Sequence, residues 1–125
     1  MAIPAKTTKP GNWGQVVSFV GSKGGVGKTT ISAATAVCLK QMGYKVALVD
    51  LTLRLGSDLA LGLGLETDPN FADLVPDMEA LVPESLENYL LTHESGVRLL
   101  AAPSTPDKWQ RVQEGHVEKA IHLLR

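Results

Sequence analysis

Residues 22–30 read Ser22-Lys23-Gly24-Gly25-Val26-Gly27-Lys28-Thr29-Thr30. This mixture of glycines, lysines and hydroxyls suits one chemistry above others, the binding of a phosphorylated ligand. Glycines at 24, 25 and 27 let the backbone turn tightly and approach an anion with no Cβ in the way. A helix starting near Lys28 would add unpaired N–H groups and about half a positive charge at its N-terminus. In a loop of this kind Lys28 reaches the β- and γ-phosphates of a nucleotide and the Thr29 hydroxyl sits on Mg²⁺. Thr30 is placed to donate to the α-phosphate, and Ser22 and Val26 complete the cradle. Lys23 is an addition, since the ordinary phosphate-loop pattern specifies no lysine there. It reads either as a cation that touches a phosphate, across a dimer, or as a solvated loop lysine. The plain alternative for the whole stretch is a Gly-rich turn with a capping threonine.

Such a loop works only between a strand and a helix. Gln15 to Val20 is a β-rich apolar run, which predicts a strand over 15–21. The Ala-rich stretch that follows predicts a helix over 28–42, ended by Gly43. Residues 45–50 predict a second strand, apolar at Val46, Ala47, Leu48 and Val49 without alternation, as in a parallel sheet buried on both faces. Strand, loop, helix and strand in that order imply a right-handed βαβ unit. Further on, short helices are expected near 56–63 and 70–75, and Pro83 is suited to open another. Leu86, Leu90 and His93 would share a face of that helix. Val97 to Ala101 reads as a third strand. Thr105 is a cap candidate with Pro106 in the first helical position. Trp109, Val112, His116, Val117, Ala120, Ile121 and Leu124 then mark one face of a single closing amphipathic helix. The expected fold class is α/β, P-loop NTPase-like, with a mostly parallel sheet flanked by helices. Residues 1–14 read as a linker or tail and 15–125 as the N-terminal part of a P-loop ATPase domain.

Lys23 to Thr30 resembles the deviant Walker A motif of the ParA/MinD superfamily of ATPases. Tyr44 to Leu51 looks like the second strand of that superfamily, which ends in an aspartate-containing switch. Leu53 to Leu63 and Ser95 to Pro103 look most like the CpaE/TadZ branch, which acts in the localisation and assembly of tight-adherence pili. The resemblance implies ATP and Mg²⁺ as ligands, a homodimer formed with ATP, and pilus-assembly or polar-localisation proteins as partners. It implies catalytic roles for Lys23, Lys28 and Asp50, with Thr29 and Asp50 at the metal. Asp50 would join the Mg²⁺ shell or orient the attacking water; its plain alternative is a turn or capping aspartate. The sequence departs from the superfamily two residues later, where a second aspartate is usual and Thr52 stands instead. A threonine cannot accept a proton from water near neutral pH, so slow hydrolysis is expected, and Asp58 lies one residue off the position for an acidic substitute. Members are about twice this length, and the next expected element would be a strand with a second Mg²⁺-linked aspartate.

Composition narrows the alternatives. The 125 residues carry 12 basic and 13 acidic side chains, a net charge of −1, so no strong field for nucleic acid or an anionic membrane follows. One cysteine allows no internal disulfide and fits a reducing cytosol; Cys38 is expected as a small core residue of the Ala-rich helix. No run reaches membrane-span length, so the expected setting is the cytoplasm, at the membrane's inner face only through partners. His93, His116 and His122 lack ligand spacing, Arg54 reads as solvated, and the acidic residues at 73, 77, 79, 84 and 87 read as a solvated face. Rival readings are a ParA/MinD-type partition or division-site positioning ATPase and a non-hydrolysing nucleotide-gated scaffold. A P-loop tyrosine kinase would lack the Lys-Gly-Gly signature, and an iron–sulfur carrier would need a Cys-x-x-Cys pair.

Overall fold

Strand β3, Arg98–Leu100, organises the domain, because its successive side chains feed two separate cores. In the computed structural model, which describes residues 13–54 and 56–125, Leu99 and Ala101 pack on one face with Leu59 and Ala60. Leu100 packs on the other with Phe71, Leu74, Met78, Leu81, Leu86 and Ala120. β1, Ala47–Val49, lies parallel to β3 in the register Leu48 to Leu99, and it splits its side chains the same way: Leu48 joins the first cluster and Val49 the second. β2, Leu91–Thr92, closes the other side of β3 antiparallel, giving the order β1-β3-β2. The α/β class stands, and the described sheet is mixed; β1 is not buried on both faces as expected, since Ala47 is exposed and Leu48 and Val49 are half-buried where the strand borders a cleft.

Helix α1, Lys28–Gln41, starts where the glycine pattern places it and ends one residue early of the expected boundary. Gly43 takes a positive φ of 91° and Tyr44 donates its N–H back to the Leu39 carbonyl, the reason a glycine is needed there. α2 covers Asp58–Gly62 and α3 covers Phe71–Leu74, with a 3₁₀ turn at Val75–Asp77 that accommodates Pro76. α4, Pro83–Leu86, opens on its proline as expected.

Several expectations need correction. Leu90 and His93 are not on a helix: after a 3₁₀ turn at Glu87–Tyr89 the chain enters β2, because a tight return through Gly96 brings Leu91 and Thr92 onto β3. The closing helix is two: α5, Pro106–Trp109, and α6, Glu114–Leu124. The Nδ1 of His116 accepts the Gln113 N–H and starts α6 afresh, so Trp109 and Val112 lie outside it although they keep its periodicity. Thr105 holds the cap position of α5 without a cap bond. Cys38 is exposed, since the buried side of α1 runs through Ser32 and Ala36. The acidic face is partly engaged: Asp73 accepts from the Asn70 N–H, Asp77 from the Tyr89 hydroxyl, and Glu87 pairs with Arg98 at 2.7 Å. Arg54 is exposed, as expected, with its guanidinium 5.0 Å from the centre of the Trp109 ring.

The largest difference concerns residues 15–21, which carry no strand ladder. Val16 and Val20 are 54% and 87% exposed. A strand needs a partner for its backbone and cover for its side chains, and here a cleft of about 600 Å³ separates this segment from β1. The linker expected at 1–14 lies mostly outside the described residues. Its last two residues are engaged: the Trp13 ring sits 5.0 Å from the His122 ring and the Gly14 N–H donates to the Arg125 carbonyl.

Candidate functional site

The glycine loop runs from an extended segment straight into α1. Gly25 and Gly27 take φ values of 74° and 91°, a backbone region that side chains with a Cβ rarely occupy. Gly27 is also the N-cap of α1 and carries no side-chain oxygen to satisfy the helix's first N–H groups. No acidic residue occupies the first turn. The helix therefore presents its positive end and free donors toward the loop, with no carboxylate of its own first turn to neutralise them. A Cβ built on Gly24 or Gly25 meets no atom within 4 Å, so this part of the loop is uncovered by other elements.

Lys28 closes over this loop. Its Nζ donates to the Lys23 carbonyl at 2.9 Å and folds back across Gly21, where an added Cβ would stand 3.3 Å from it. The contact is exposed and uses one of three ammonium donors, so the cation remains available to a phosphate. Ser22, Lys23, Gly24, Gly25, Val26 and Thr30 are all exposed around the loop. Thr29 is half-buried, and its carbonyl accepts from the Ser32 hydroxyl at 3.0 Å, which ties the first turn of α1 together.

Asp50 stands at the end of β1, anchored by its N–H to the Leu100 carbonyl at 3.0 Å. It is 4% exposed, and burial of a carboxylate demands donors. Three are supplied. Oδ1 accepts from the Thr52 N–H at 3.0 Å and from the Thr52 hydroxyl, and Oδ2 accepts from the Ser57 hydroxyl at 2.7 Å. Lys28, Thr29 and Asp50 border the same cleft between residues 14–21 and β1. Of the predicted site residues the structure brings Lys28, Thr29 and Asp50 to one opening, while Ser22 to Gly27 and Thr30 lie outside its lining. Oxygen donors such as a threonine hydroxyl and a carboxylate suit Mg²⁺, whose remaining positions water and phosphate oxygens fill. Asp58 is exposed in the first turn of α2 and takes no part in the Asp50 cluster. Ser57 is the residue that sequence reasoning passed over. A serine immediately before an acidic first turn is a recognisable helix cap, but its second bond, to a carboxylate seven residues back, has no local signature.

Comparison with known proteins bears on the same residues. The CobQ/CobB/MinD/ParA nucleotide binding domain matches residues 17–100. An uncharacterized ATP-binding protein of Methanocaldococcus jannaschii is 33% identical over 111 residues, covering 86% of this chain and 40% of that protein. A putative septum site-determining protein MinD of Guillardia theta is 46% identical over 112 residues, covering 88% of this chain and 40% of that protein. Among solved structures, a ParA family ATPase from Chlorobium tepidum superimposes with a TM-score of 0.74 at 29% identity, covering 84% of this chain and 44% of the other. The chain spans about two fifths of the length of these relatives.

Proposed function

The chain belongs to the CobQ/CobB/MinD/ParA nucleotide-binding domain family, and we propose that on this fold it binds Mg·ATP at residues 22–30 and hydrolyses it slowly. The observation that carries this reading is the positive-φ turn of Gly25 and Gly27 leading into an uncapped helix N-terminus, with Lys28 folded beside it. Backbone N–H groups of the loop would cradle the phosphates, and Lys28 would exchange its bond to the Lys23 carbonyl for the β- and γ-phosphates. Thr29 and Asp50 would hold Mg²⁺, which when bound neutralises phosphate charge.

The slow turnover follows from Thr52. Its hydroxyl donates to Asp50, and a neutral hydroxyl cannot take a proton from an attacking water. The absence of a positioned general base costs ~10²–10⁴ in rate. Thr52→Asp should raise phosphate release, by up to ~10²-fold. Wild-type turnover near the enzyme median of ~10 s⁻¹ contradicts the proposal.

Lys23 is exposed at the mouth of the loop, free to reach outward, and we assign it to the phosphates of a second copy's nucleotide. Lys23→Ala should keep nucleotide binding and lose ATP-dependent dimerisation in light scattering; a variant that still dimerises removes this role. The likeness to the CpaE/TadZ branch over residues 53–63 and 95–103 supports a setting in pilus assembly or localisation. Unchanged piliation in cells lacking the protein contradicts that setting. A second reading, a nucleotide-gated scaffold without hydrolysis, is favoured by the engagement of the Thr52 hydroxyl with Asp50. ATP-dependent dimerisation with no phosphate release, by the wild-type protein and by its Thr52→Asp variant alike, distinguishes it.

A further inference from the structure

We propose that Ser57 is a positioning residue that fixes Asp50 toward the nucleotide site by tying its carboxylate to helix α2. The inference rests on the Mg·ATP reading above. An ionised carboxylate offers about four lone-pair sites. Thr52 occupies both on Oδ1, through its N–H and its hydroxyl, and Ser57 occupies one on Oδ2. The remaining site is therefore on Oδ2, the oxygen that Ser57 holds. The direction in which Asp50 can offer a lone pair to a cation or water is set by where Ser57 stands.

Ser57 itself is well placed to set it. It is 6% exposed, and its Oγ accepts the Ala60 N–H at 3.2 Å while donating to Asp50. It is thus the N-cap of α2 and the tether of Asp50 at once. α2 is anchored beyond it, since Leu59 and Ala60 pack against Leu99 and Ala101 of the sheet and Ala33 of α1. Its far end reaches the phosphate loop's helix, where a Cβ on Gly62 would meet the Thr29 methyl at 3.9 Å. α2 thus lies beside the start of α1 while it holds Asp50. The Thr52 contacts stay within the loop before α2: its N–H and hydroxyl meet Asp50, and the hydroxyl also lies 3.3 Å from the Gly56 carbonyl. Among the described residues, Ser57 is the side chain that connects the carboxylate to a packed helix.

Two substitutions separate this role from capping. Ser57→Thr keeps the hydroxyl. Ser57→Gly keeps most of the cap, since glycine is itself well tolerated at an N-cap, but leaves Asp50 Oδ2 without its donor. The first readout needs no nucleotide. In Ser57→Gly the Thr52 amide, which depends on a fixed Asp50, should exchange with solvent about tenfold faster, while the amide of Leu63, the C-cap of α2 bonded to the Leu59 carbonyl, stays as in wild type. The second is the Mg²⁺ concentration at which a fluorescent ATP analogue is half bound. It should rise about tenfold in Ser57→Gly, as for loss of a hydrogen bond to a charged group, with unchanged affinity in EDTA. Ser57→Thr should restore both. An unchanged Thr52 exchange rate overturns the tether whatever the nucleotide does. Faster exchange with an unchanged Mg²⁺ midpoint leaves Ser57 a structural tether of the loop and overturns its role in positioning Asp50 for the ligand. Absence of ATP binding by the wild-type protein, with or without Mg²⁺, overturns the nucleotide reading itself and leaves the Ser57 contact with no ligand to serve.

Discussion

The two sides of β1 are built on opposite principles. Toward β3 the molecule is closed: Phe71, Leu74, Leu99 and Leu100 are each 0% exposed. Toward residues 15–21 it is open, and valines of equal hydrophobicity face solvent across the cleft. Apolar character does not decide burial by itself; a residue is buried when packed elements cover it on every side. The phosphate loop lies on the open side and takes its shape from glycine dihedrals, helix α1 and one lysine–carbonyl bond rather than from a core. Stability and ligand binding should therefore be separable by mutation.

The largest effect is expected in the closed region. Phe71 is fully enclosed, and its N–H bonds the Ala101 carbonyl at 2.9 Å, so α3 is docked directly on the strand end. Phe71→Ala should lower stability by ~3–5 kcal/mol in urea denaturation. A loss below ~1 kcal/mol would show that this core carries much less than its burial implies. Asn70 should matter less but in the same direction. It is fully buried, its Oδ1 accepts the Ala72 N–H, and its Nδ2 donates to the Thr67 carbonyl and to Asp68. Asn70→Ala removes the α3 cap and orphans buried groups, at a cost of ~1–3 kcal/mol; a neutral substitution would mean that water satisfies them. At the far end of the scale, Val20→Ala on the open side should stay within ~0.5 kcal/mol of wild type. A cost as large as that of Asn70→Ala would show that the 15–21 segment is packed in solution and would erase the contrast.

The same contrast explains what the sequence disclosed. The phosphate loop is legible because its requirements are local: a glycine where φ is positive, a lysine and a threonine at the start of a helix. α1, the proline opening α4, the place of β1 and the core of β3 are legible for the same reason, through propensity and unbroken apolar runs; the half-exposure of β1 is not, because it depends on what lies across the cleft. The β2–β3 hairpin was not, because Leu90 and His93 fit helical spacing and only the antiparallel partner, delivered by Gly96, overrides it. The split between α5 and α6 was hidden because Trp109 and Val112 keep the period across the break. The strand expected at 15–21 has the right composition and lacks its neighbour. The Ser57–Asp50 bond spans seven residues through a loop, and no periodicity reports such a contact.

Mg·ATP binding measured by isothermal titration on the wild-type protein and on Lys28→Ala bears most directly on the central claim. Among the described residues Lys28 bonds an exposed loop carbonyl, so its removal should leave unfolding nearly unchanged. It should weaken ATP binding by the worth of a charge-assisted contact, ~1.5–3 kcal/mol or roughly 10- to 150-fold in Kd. Equal affinity in the two folded proteins would contradict the assignment of residues 22–30 as the nucleotide site.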